Sequence, residues 1–307
     1  MSESGITIVI PVYNRAELLP RTLASIDRQT MPPDRVILVD NNSSDSSAQV
    51  MEEWRRSVKD FPVLLLSETA PGAAAARNRG LREVDSPYVM FFDSDDEMLP
   101  THVEDFARAL RQNPDAQIAG KPIRKCGLHG ETGTGAFTTI MPEFQHIFRA
   151  TLSTQRIVVS TDFCRSVGAW NEQLHQWDDL ELGVRYLLGS PRIVRVPDKP
   201  TVIVHSQEKS LTGTDFTSCA GSWEKALSAC RTEIIRAGRT DLLPWIDARY
   251  AILAAQYARE GSHRLASDLL RSILSLTPFP RRIRLLYHHN RLFGRFTWCL
   301  ARLLFPC

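Results

Sequence analysis

Residues 6–12 read Ile-Thr-Ile-Val-Ile-Pro-Val, a near-continuous, largely β-branched run followed by Tyr13 and Asn14. A strand with no polar alternation is buried on both faces, as in a parallel sheet covered by helices. Asn14 and Glu17 form an N-x-x-E pattern, which predicts a capped helix from there to about Gln29. The strand-then-helix unit recurs: strands are expected at 36–40, 63–67 and 88–92, with helices from 48 to about 59 and from Pro71-Gly72 to about Glu83. Four such units predict an α/β fold with a Rossmann-like, mostly parallel sheet and helices on both faces. Ligands of such sheets sit beyond the carboxyl ends of the strands, so the loops there carry function.

Further along, a helix is expected at 101–112, a loop or hairpin across the five glycines of 120–135, a strand at 155–160, a helix at 179–188 and short strands at 192–196 and 201–205. Beyond about Asp215 the pattern is helical, and 245–258 and 263–276 could pair as a hairpin. The expected organisation is therefore a body at 1–214 followed by a helical region at 215–307.

The 307 residues carry 37 basic and 35 acidic side chains, a net charge of +2 that argues against a dedicated nucleic-acid binder. The sum hides an asymmetry: residues 1–210 hold 23 basic and 28 acidic groups, residues 211–307 hold 14 and 7. After Asp268 there is no acidic residue, while seven arginines are interleaved with leucines and aromatics. That composition suits either an anionic membrane surface reached through 279–307, or a helix docked on the body with its arginines in solvent. The six cysteines show no C-x-x-C pair or disulfide spacing, and no apolar run is long enough to span a bilayer. A cytoplasmic location is expected, with peripheral attachment to the inner face of a membrane as an extension of it.

The strand ends present a polar rim: Tyr13 and Asn14, Asp40, then Gly72 with Arg77 and Asn78, then Asp93, Ser94, Asp95 and Asp96. Three carboxylates within four residues repel one another unless a cation is shared among them. Bound Mn²⁺ or Mg²⁺ would offset the repulsion and could grip a diphosphate; the other reading is a solvated acidic turn before a helix. Asp40 can accept from a nucleobase N–H or a ribose hydroxyl, or close an Asx-turn. Arg77 can reach a phosphate or base, or form a surface ion pair. Neither G-x-G-x-x-G nor G-x-x-x-x-G-K-[ST] follows a strand, which disfavours NAD and Walker-type ATP binding.

Four segments together, Ile6–Asn14, Val39–Asp45, Pro71-Gly72 with Ala75–Gly80, and Phe91–Asp96, resemble family 2 glycosyltransferases in order and spacing. The resemblance covers about residues 5–210. It implies the nucleotide-diphospho-sugar transferase fold (GT-A), with Pro11, Tyr13, Asn14, Asp40, Arg77, Asp93 and Ser94 binding a nucleotide-diphosphate sugar, a UDP-sugar foremost. It also implies a divalent cation held by Asp95 and Asp93.

Trp177-Asp178-Asp179-Leu180-Glu181-Leu182-Gly183-Val184-Arg185 resembles the family's catalytic Glu-Asp helix, and Gly168–Glu172 its preceding Gly-x-Phe-Asp-Glu segment. By that resemblance Asp179 is the general base, with Asp178 beside it in place of the usual Glu; helix capping is the structural alternative. His205 and the polar loop after it, including Lys209, resemble the family's late histidine segment, with His205 a third metal ligand or a diphosphate contact. The function implied is inverting transfer of a sugar to a hydroxyl of a glycan or lipid-linked acceptor in surface polysaccharide or glycoconjugate synthesis. A catalytically silent sugar-binding protein of the same fold and a nucleotidyltransferase are the competing classes.

Overall fold

A computed structural model describes residues 4–128, 130–197, 199–206, 215–294 and 297–305. By compactness the chain forms two units: residues 1–140, 151–175 and 189–209 make one, and 141–150, 176–188 and 210–307 the other. The division is thus interleaved along the chain rather than a single cut after residue 214, because two helices of the body's sequence group with the C-terminal helices.

In the first unit the strands are β1 (Ile6–Val12), β2 (Arg35–Asp40), β3 (Val63–Ser67), β4 (Tyr88–Phe91), β5 (Glu97–Met98), β6 (Ile118–Gly120), β7 (Ile123–Gly127), β8 (Gly130–Gly135), β9 (Ile157–Ser160), β10 (Ile193–Arg195) and β11 (Val202–His205). Its helices are α1 (Leu19–Asp27), α2 (Ser47–Ser57), α3 (Ala73–Leu81), α4 (His102–Gln112) and α6 (Thr161–Ser166); α5 (Pro142–Arg149) and α7 (Asp178–Leu188) belong to the second unit. The main sheet runs β10-β6-β9-β4-β1-β2-β3 and is parallel except where β9 enters antiparallel between β4 and β6. A second sheet, β5-β11-β7-β8, contains the expected glycine-rich hairpin as β7 and β8.

The period-2 geometry of β1 explains the two helical layers. Ile6, Ile8, Ile10 and Val12 join a core with Leu19 and Leu23 of α1, Met51 and Trp54 of α2, and Val103 and Phe106 of α4. Val9 points the other way, to α3, where a Cβ placed on Gly80 would lie 2.4 Å from Val9 Cγ1. The small residues Ala74–Ala76 and Gly80 let this helix lie close on the sheet.

One local expectation is corrected. Asn14 does not cap a helix: it takes a left-handed φ of 50°, and its Oδ1 accepts from the Ser44 N–H at 2.8 Å. The helix starts later, at Leu19, with Pro20 in its first turn and no side-chain cap. Asparagine tolerates the left-handed region, and proline's fixed φ suits a first helical turn.

The second unit is helical: α5 and α7 group with α8 (Ala220–Arg236), α9 (Leu243–Arg259), α10 (His263–Leu276), α11 (Pro280–Phe293) and α12 (Thr297–Leu304). Phe144, Leu180, Trp223, Trp245, Tyr257 and Leu286 share its core. The expected hairpin is the packed pair α9–α10. No helix among the described residues is long and apolar enough to cross a membrane.

Candidate active site

The parallel register sets Val12, Asp40 and Ser67 side by side, and β4 lies on the other side of β1. The chain turns to opposite sides after β1, so the carboxyl ends of β1 and β4 flank a topological switch point. Pro11 is buried in β1, paired with Val39, and Tyr13 follows, 58% exposed. Asn14 and Arg15 tie this loop to the next through backbone N–H bonds to Ser43 Oγ (3.0 Å) and Ser47 Oγ (2.8 Å). Asn41 clamps the β2 and β3 ends: its Nδ2 donates to the carbonyls of Glu68 and Ala70, and its Oδ1 accepts from Gly72 N–H at 2.7 Å.

Asp40 is different. Its Oδ1 is buried with no hydrogen-bond partner among the described residues, at the end of a strand whose neighbours on both sides carry polar loops. A buried carboxylate oxygen without a donor is costly, so the position suits an incoming N–H or O–H.

Arg77 is buried on α3, donates from Nη2 to Asp93 Oδ1 at 2.8 Å, and lies with its guanidinium 4.3 Å from the centre of the Trp170 ring. Asp93 also accepts from Gln155 Nε2. Ser94 is buried beside it in sequence. Asp95 sits 3.5 Å from Arg15 Nε, and its backbone carbonyl accepts from Arg21. Burial and then the Asp93 charge raise the Asp95 pKa, with Arg15 and Arg21 opposing. Asp96 is almost fully buried; burial first, then Asp93 and Asp95, pushes its pKa well up, while its Oδ1 accepts from the His205 N–H at 2.9 Å.

His205 lies at the end of β11. Its Nε2 is buried and 3.7 Å from Glu97 Oε2, beyond hydrogen-bond reach, and it has no other partner among the described residues. Burial, then Arg21, lowers its pKa, which keeps the ring neutral and able to act as a ligand. Lys209 and the rest of the loop at 207–214 lie outside the described residues.

In the second unit, α7 starts at Asp178, directly after Trp177 in the left-handed region (φ 51°). The carboxylates bond within the first turn: Asp179 N–H donates to Asp178 Oδ1 (3.0 Å) and Leu180 N–H to Asp179 Oδ1 (2.8 Å). The helix dipole favours their charge. One turn on, Glu181 and Arg185 form a buried two-pronged ion pair at 2.8 Å. Arg249 of α9 lies over the Trp177 ring at 4.4 Å; burial lowers its pKa to about 10, with the Asp179 carboxylate opposing.

The model of the family described as "Glycosyl transferase family 2" matches residues 7–165, which is half of the chain. The chain belongs to glycosyl transferase family 2. It is similar to an uncharacterized glycosyltransferase of Haemophilus influenzae, 26% identical over 285 residues that make up 89% of this chain and 92% of that one. The crystal structure of S. aureus TarS 1–349 in complex with UDP-GlcNAc superposes with a TM-score of 0.70 at 17% identity, covering 97% of this chain and 90% of that one. A mannosyltransferase of Pyrobaculum calidifontis, solved with GDP-Man and Mn²⁺, does so with a TM-score of 0.55 at 18% identity over 94% and 87%. The expected glycosyltransferase class and the α/β fold with a C-terminal helical region hold.

Within this glycosyltransferase, sequence reasoning missed several partners. Gln155 precedes a distant strand, and nothing local marks it as a partner of Asp93. Arg15 and Arg21 flank Asp95, and Arg249 faces Trp177, only once the chain is folded. Trp170 stood within a recognised segment, and its aromatic type was the available signal.

Among the described residues no group of three His, Cys, Asp or Glu side chains is arranged to hold a metal ion. Asp93 is occupied by Arg77 and Gln155. The Asp95 carboxylate and His205 Nε2, which has no hydrogen-bond partner among the described residues, are donor atoms of the right chemistry for one. Mg²⁺-like ions at phosphate sites take only one or two carboxylates from the protein and complete their shell with phosphate and water.

Proposed function

We propose that this family member is an inverting glycosyltransferase that moves a sugar from a nucleotide-diphosphate donor, a UDP-sugar foremost, to a hydroxyl of a glycan or lipid-linked acceptor. The reaction is proposed to serve surface polysaccharide or glycoconjugate synthesis. The observation that carries the reading is the buried, unpartnered Oδ1 of Asp40 at the end of β2, in the same sheet whose β4 leads into Asp93-Ser94-Asp95-Asp96. A base N–H or a ribose hydroxyl satisfies Asp40, and Tyr13 offers an exposed ring for stacking on the base.

In this reading Arg77, held over the Trp170 ring, and Asp93 fix the ribose and diphosphate end of the donor, while Arg15 and Arg21 add positive charge beside it. Asp95, with His205, would hold the divalent cation, which when bound would supply positive charge against the diphosphate leaving group. Asp179 accepts the proton of the acceptor hydroxyl as its oxygen attacks the anomeric carbon from the face opposite the nucleotide, inverting that centre. Asp178, the other carboxylate of the catalytic pair, accepts the Asp179 N–H and steadies the start of the helix that carries the base. TarS with UDP-GlcNAc and the mannosyltransferase with GDP-Man and Mn²⁺ support the donor class and the cation.

The test is a panel of UDP-, GDP- and dTDP-sugars assayed for binding and slow hydrolysis with Mn²⁺ or Mg²⁺. Saturable binding of at least one donor is expected. Indifference to all three nucleotide classes would overturn the reading.

A further inference from the structure

The segment from 279 onward is built into the second unit. Ile283, Leu286, Tyr287 and Asn290 of α11 are buried, as are Ala301 and Phe305, and Arg282 is used structurally, donating to the Leu304 carbonyl at 2.7 Å. Docking by an apolar face therefore accounts for half of α11. The other half remains to be explained. At about 100° per residue, Arg281, Leu285, His288 and Leu292 fall on one strip opposite the buried residues, with Arg284 and Arg291 along its edge. Leu285 is 50% and Leu292 75% exposed, and Phe293 at the end of the helix is 67% exposed.

Arg281, Arg284 and Arg291 have no acidic partner among the described residues, and no acidic residue follows Asp268 in the sequence. An ordinary solvated helix face carries mixed charge and few large apolar groups. This one combines unpaired arginines with exposed leucines. Pairing with a second copy about a twofold axis would set arginines against arginines, which opposes that occupant. An anionic bilayer surface answers both features: phosphates meet the guanidinium groups and the acyl boundary takes the leucines.

We propose that the outward strip of α11, Arg281, Arg284, Leu285, Arg291 and Leu292 with Phe293 at its end, docks the protein on an anionic lipid surface. This goes beyond the transferase reading and does not rest on it, since lipid binding is measured without donor or acceptor. Truncating the segment would be a poor test, because Ile283, Leu286 and Phe305 belong to the core. Exposed substitutions leave that core alone.

The full chain is sedimented with vesicles of phosphatidylcholine alone or mixed with phosphatidylglycerol, alongside an Arg281→Glu/Arg284→Glu/Arg291→Glu variant and a Leu285→Ser/Leu292→Ser variant. The proposal expects binding to the mixed vesicles only, weakened by added salt, roughly 100-fold weaker in the charge variant and about tenfold weaker in the leucine variant. No binding to the mixed vesicles, equal binding to both compositions, or unchanged binding by both variants overturns it. So does a concentration-dependent dimer that the Leu285→Ser/Leu292→Ser change abolishes, which would assign the strip to a second copy.

Discussion

Arg77 in the middle of α3 and Asp93, just past the end of β4, meet at 2.8 Å, and Trp170 underlies the guanidinium at 4.3 Å. The pair fixes the orientation of two residues that the transferase reading assigns to the donor. Arg77→Lys keeps the charge and loses the planar fork and its stacking, so it should raise the donor KM about tenfold. Arg77→Met should in addition lower stability by about 1–2 kcal/mol, a modest loss because Asp93 stays partly in solvent. Donor titration and urea unfolding of both variants check this.

Asp40→Ala removes the acceptor proposed for the nucleoside. A hydrogen bond to a charged group is worth about 1.5–3 kcal/mol, so donor binding should weaken by roughly 10- to 100-fold. Asp40→Asn keeps one acceptor oxygen and should weaken it less. Unfolding midpoints should not fall, because the Asp40 Oδ1 has no partner to lose among the described residues.

Gly80 lets α3 lie against β1, and an added Cβ would sit 2.4 Å from Val9 Cγ1. Gly80→Ala should cost about 1–3 kcal/mol of stability by overpacking. Gly221 in α8 has nothing within 4 Å of the added carbon, and Gly221→Ala should instead stabilise by about 0.5–1 kcal/mol. Chemical denaturation of the two variants reads the contrast.

The buried Asp96 holds its proton more tightly in the folded chain than in the unfolded one. Its contribution to stability is therefore complete below the unfolded carboxyl pKa and is lost as pH rises through the raised folded value. Asp96→Asn preserves the acceptor for the His205 N–H and removes the ionisation. In the presence of chelator, the fall in stability as pH rises above the unfolded carboxyl pKa of about 4 should be shallower in the variant than in the wild type. Parallel pH profiles would contradict this.

The strands and the loops at their ends were legible because burial on both faces and turn chemistry are local properties of sequence: β1 spans Ile6–Val12 and β3 Val63–Ser67 as expected. Asp40 and the Asp93–Asp96 cluster were legible for the same reason, as polar residues stopping apolar strands. The role of Asn14 was not, since a left-handed residue bonded to Ser44 depends on a loop 30 positions away. Nor were Gln155 against Asp93 or Arg249 over Trp177, which join segments 62 or more residues apart. The interleaved division into units was hidden too, because α5 and α7 carry ordinary amphipathic patterns that do not say which core they join.

The central claim is tested most directly by calorimetric titration of UDP and of GDP into the full chain with Mn²⁺ present. Saturable binding of at least one nucleotide is expected, weakened about tenfold or more by chelation and by Asp95→Asn, and unchanged by Asp179→Asn. Binding of neither nucleotide, or binding indifferent both to chelation and to Asp95→Asn, would contradict it.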